Sequence, residues 1–79
     1  MNISFVRRLG PTLPTVCAAG HHCPAVLELE SGDFAIIGAD ITADAAGKLP
    51  AGTACGPSER VVLIPRDVLV NARPDIPGV

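Results

Sequence analysis

Between Ala25 and Gly38 the chain changes polarity residue by residue. Leu27 and Leu29 alternate with Glu28 and Glu30, then, beyond Ser31 and Gly32, Phe34 and Ile36 fall on one side and Ala35 and Ile37 on the other. A period of two places successive side chains on opposite faces of a strand, so Ala25 to Glu30 predicts a half-buried strand. A glycine in the two-residue connection Ser31–Gly32 can take the positive φ of a tight turn, which predicts a β-hairpin with Asp33 to Gly38 as its second arm. That arm is apolar on both sides, and so predicts a strand covered on both faces and central in its sheet. Arg60 to Ile64, rich in β-branched residues, predicts a third core strand. Met1 to Val6 reads as an edge strand, while Gly10, Pro11, Pro14 and Gly20 break Leu9 to Cys23 into loop.

The helical signals are short. Thr42 can cap one turn through Asp44, Ala45 and Ala46 that Gly47 stops, and Leu49 to Ser58 reads as a surface connection holding Cys55. Pro65 suits the first turn of a helix, with Asp67 near the positive end of its dipole. Over Pro65 to Ala72 that helix puts Val68, Leu69 and Ala72 on one side to cover a sheet face; the rival reading is a fourth strand, Val68 to Val70. Pro74 and Pro77 predict a frayed end over the last five residues. The expected fold is α+β, a small antiparallel sheet of three to four strands with a central hairpin and a short C-terminal helix. It forms a single domain over 1–79, with an N-terminal segment and loop over 1–23 and the core over 24–73.

Composition limits how such a fold can be held. A chain of 79 residues has room for one core, burying roughly 60% of the surface its unfolded form exposes. Cores of that size supply about 3 to 5 kcal/mol, so small chains recruit a disulfide, a metal ion or a partner. With 48% hydrophobic residues the chain is not disordered in character, but it has only two aromatics, Phe5 and Phe34, so the core must be aliphatic. The formal net charge is −2, and the six basic residues are scattered apart from Arg7–Arg8. A grip on phosphates needs clustered cations and base stacking needs aromatics, so direct nucleic-acid binding is not expected. No run approaches the roughly eighteen apolar residues of a membrane span, and no apolar stretch follows the basic pair as in a secretory leader. A cytoplasmic location is the expectation.

The candidate chemistry lies in Cys17, His21, His22, Cys23 and the distant Cys55. Zinc takes thiolates and imidazoles tetrahedrally, and the three cysteines with one of the histidines would complete a closed structural site. Three thiols cannot all pair within one chain, and in a reducing compartment they read as metal ligands or buried hydrophobes before they read as a disulfide framework. A histidine beside a cysteine can also activate the thiol as a nucleophile or redox switch, but no orienting carboxylate or oxyanion-stabilising element can be assigned to it. Glu28 and Glu30 read as the wet face of a strand, and the glycines form no phosphate-binding fingerprint. No catalytic residue is assigned, and an enzyme is not expected. A hairpin apolar on both faces, in a chain too short to cover both, points instead to a protein partner or a homodimer.

The run Cys23, Pro24, Ala25, Val26, then Glu30 to Gly38, then Val61 to Leu69, resembles the small actinobacterial proteins of unknown function encoded beside helix-turn-helix regulators. Those proteins show a cysteine before a first strand, a hairpin into a valine-rich second strand, and a third strand ending in a proline that opens a helix. Cys23, Ser31–Gly32 and Ile64–Pro65 occupy those places here. The resemblance covers about Cys23 to Ala72 and implies a non-enzymatic accessory partner of a DNA-binding transcriptional regulator.

Overall fold

A computed structural model describes residues 2–11 and 23–78 of the chain. Three strands, β1 (Phe5–Leu9), β2 (Ala25–Leu29) and β3 (Phe34–Ile37), form an antiparallel sheet in the order β1-β2-β3. After Gly38, β4 (Ala39–Asp40) leaves that sheet to pair with β5 (Val62–Leu63) in a second, two-stranded one. A single helical turn, α1 (Thr42–Ala45), follows β4, and α2 (Arg66–Ala72) follows β5 and runs into a 3₁₀ turn over Arg73–Asp75. The fold is α+β, as the sequence predicts.

The hairpin forms where the alternation places it. Its connection is three residues long: the Leu29 N–H donates to the Asp33 carbonyl at 2.9 Å, and the Gly32 N–H to the Leu29 carbonyl at 3.0 Å. Gly32 lies at φ 94°, the left-handed bulge that lets a three-residue loop rejoin the ladder. β3, however, is an edge strand and β2 the central one. Arg60 to Ile64 contributes just Val62 and Leu63 as strand, both exposed and outside the main sheet. The N-terminal strand begins at Phe5, beyond the start of the expected Met1 to Val6, and carries both arginines of the basic pair.

Cross-strand register shows which face holds the core. Leu9 lies opposite Val26, and Val26 opposite Ile36, so these three form one row across one face. Val68 and Ala72 of α2 pack on Leu9 and Val26, with Ile64 and Ile76 against them. Exposure along the row is 3%, 3% and 45%. The seven-residue helix therefore covers β1 and β2 and stops short of β3. Pro65 caps α2 at φ −59°, the angle its ring imposes, and the helical reading prevails over a fourth strand. Leu69, expected to share the covering face, is exposed, since only the i, i+4 pair Val68 and Ala72 meets the sheet.

The C-terminal end is tied down well past Pro74. The Gly10 N–H donates to Asp75 Oδ2 at 2.7 Å, and Arg7 donates to the Asp75 carbonyl at 2.7 Å. Asp75 thus clasps the end of β1 to the end of α2, while Ile76 joins the core. Fraying over the last five residues is contradicted at these two positions.

Candidate functional site

The thiol and imidazole cluster is divided by the structure. Cys23, which leads into β2, is disulfide-bonded, whereas Cys55 is a free, half-buried thiol in the connection from α1 to β5. Its Sγ lies 3.9 Å from the Gly56 carbonyl. Cys17, His21 and His22 lie outside the described residues. A disulfide sulfur has no thiolate to give a metal, so Cys23 could join a zinc site only in the reduced chain. Among the described residues no three His, Cys, Asp or Glu side chains gather closely enough to share an ion.

Glu28 differs from the wet-face expectation. Its side chain is 17% exposed and ion-paired to Arg7 Nε at 3.1 Å. It shares the helix-covered face with Val26, and its cross-strand neighbours are Arg7 and Phe34. Glu30 sits in the turn, exposed, where its N–H donates to the Ser4 carbonyl at 2.8 Å. An open cleft of about 530 Å³ beside that turn is lined by Asn2, Ile3, Ser4, Leu29, Glu30, Ser31 and Asp33. Among the described residues it holds carboxylates and hydroxyls but no imidazole, thiol or cation.

Asp40 organises the second sheet. Its Oδ1 accepts the Thr42 hydroxyl at 2.6 Å and the Thr42 N–H at 3.0 Å, and the same hydroxyl oxygen accepts the Val61 N–H at 2.8 Å. Thr42 is the first helical residue of α1 and lends that turn no side-chain cap; instead it joins Asp40 to the strand before β5. The Thr42 hydroxyl, the Thr42 amide and, more weakly, the Arg60 guanidinium hold the Asp40 carboxyl below its ordinary value of 3.8.

What remains is a surface. Phe34, Ile36 and Ile37 are each between 42% and 52% exposed, although they come from both faces of β3. Among the described residues β3 pairs with β2 alone. Because the Asp33 carbonyl points to β2, alternation turns the backbone groups of Phe34 and Ile36 away from it. Among the described residues nothing pairs that edge. The sequence signal for this edge is the arm apolar on both sides, which predicts a strand covered on both faces where the structure has an exposed one.

No protein-family model matches the chain, and neither the curated proteins nor the solved structures compared with it give a match. Among the described residues no helix is long and apolar enough to cross a membrane.

Proposed function

We propose that the protein is a non-enzymatic interaction module that offers β3 to a protein partner. The observation that carries the reading is the state of that strand: apolar on both faces, about half exposed and, among the described residues, unpaired on its outer edge. Exposed apolar side chains beside free backbone donors and acceptors are what β-strand addition uses, with main-chain bonds for affinity and alternate side chains for fit. Only five of the described residues are buried, so a partner would also supply burial that the chain lacks. The resemblance to proteins encoded beside helix-turn-helix regulators makes a DNA-binding regulator the partner class to test, with a second copy as the other, and the setting a cytoplasmic one.

The test is co-expression with whichever helix-turn-helix regulator is encoded beside the gene, followed by sedimentation of the purified chain and of the mixture. The expected result is a complex, or a dimer of the chain alone, that Phe34→Ser with Ile36→Ser abolishes while the variant keeps its circular dichroism. A monomer that forms no complex, or a complex indifferent to those substitutions, overturns the reading.

A further inference from the structure

Resting on that reading, we infer that the β3 edge accepts an extended segment of another protein, apolar along its length and carrying Lys or Arg at its ends, in preference to a second copy of this chain. The inference comes from the charges that bracket the edge. The run from Phe34 to Ala39 holds no charged residue and is bounded by Asp33 and Asp40, both exposed, with Glu30 in the adjoining turn and Asp44 in α1. The cations of the same sheet, Arg7 and Arg8, are on β1, the opposite edge. Arg7 is engaged with Glu28 and the Asp75 carbonyl, and Arg8 with the Pro24 carbonyl at 3.3 Å. Arg60 approaches Asp40 only to 3.9 Å, with both side chains about 60% exposed; such a pair is screened and leaves the carboxylate open to another cation.

Antiparallel pairing of two copies over Phe34–Ile37 would set the acidic turn of one, with Glu30 and Asp33, against the end at which the chain of the other leaves for β4 and Asp40. Carboxylates gathered at both ends of such a pair repel one another over short range. The same carboxylates thus disfavour self-pairing, in the way charges guard natural sheet edges, and favour an incoming strand with basic ends. Phe34 and Ile36 project to the helix-covered face and Ala35 and Ile37 to the other, so an apolar strand laid alongside would find side-chain neighbours above and below the sheet.

The experiment titrates the full chain with two blocked peptides, Lys-Val-Thr-Val-Thr-Val-Lys and its counterpart with Glu at both ends, followed by amide chemical shifts. The expected result is saturable change at Phe34 and Ile36 with the basic peptide, weakened by salt, and roughly tenfold poorer binding of the acidic one. Asp33→Lys, at an exposed position, should narrow or reverse that preference without unfolding the chain. Ile36→Pro, which removes an outward N–H, should abolish binding, with Asp33→Lys as the independent readout if the proline variant does not fold. Equal binding of both peptides at β3 overturns the charge selection and leaves the interaction reading standing. Absence of change at β3 with either peptide overturns both, and assigns the carboxylates to guarding the edge.

Discussion

Gly10 stands at φ 77° where β1 ends, and a Cβ built on it would lie 2.9 Å from the Asn71 carbonyl oxygen at the end of α2. Gly32 is also left-handed, at φ 94°, but has nothing within 4 Å. Alanine at Gly32 therefore meets backbone strain alone, about 1 kcal/mol, while alanine at Gly10 adds a collision with main chain and costs about 3 kcal/mol. Denaturant midpoints should rank Gly10→Ala clearly below Gly32→Ala. Asp40 gives a pH prediction whose sign follows from its partners. Its folded pKa lies below the ordinary value near 3.8, so its contribution is fully present above about pH 4 and is lost as pH falls through the depressed folded value. The Thr42 amide resonance should move through that acid window as the carboxyl titrates, and Asp40→Asn should remove the movement. A Thr42 amide that titrates with an undepressed midpoint would contradict the geometry.

Element by element, the structure turns on which side of a strand meets the helix. The alternation of Leu27 and Leu29 with carboxylates makes the hairpin legible, because period two is local information. It does not say which face receives α2, and the favoured Leu27–Leu29 face is not the one: Val26 and its cross-strand partner Leu9 are. Both faces of the hairpin are apolar enough to accept the helix, and a choice between them is made by contacts from elsewhere in the chain. The same holds for β1, where Arg7 and Arg8 disguise a strand that finds Glu28 and Asp75 as partners, the latter 68 residues away. Asp75 has no pattern around it to announce a role. On α2 the packing yields a sharp contrast. Ala72 has no exposed surface and Leu69 is half exposed, so Ala72→Leu should overfill the contact with β2 at a cost of about 1 to 3 kcal/mol, whereas Leu69→Lys should stay within about 0.5 kcal/mol of the parent. Thermal unfolding of the two variants decides it, and equal losses would mean that α2 presents another face.

For the molecule as a whole, the described residues hold five buried side chains, none of them aromatic, and so thin a core gives the Cys23 disulfide a large expected share of the stability. Composition identified the need for a staple, and the three cysteines supplied the candidates, but a sequence cannot state the redox form of its thiols. Closing a loop with a disulfide typically stabilises by about 2 to 4 kcal/mol, comparable to all that a core of this size provides. Reduction should therefore lower the thermal midpoint steeply and broaden the transition, while alkylating Cys55 alone, already free, should change it little. One equivalent of zinc added to the reduced chain then separates the two uses of the cluster. Recovery of the midpoint, reversed by chelator, would assign Cys17, His21 or His22, Cys23 and Cys55 to a metal that replaces the disulfide. A reduced chain that zinc leaves unchanged, with its midpoint still low, would make the disulfide the staple.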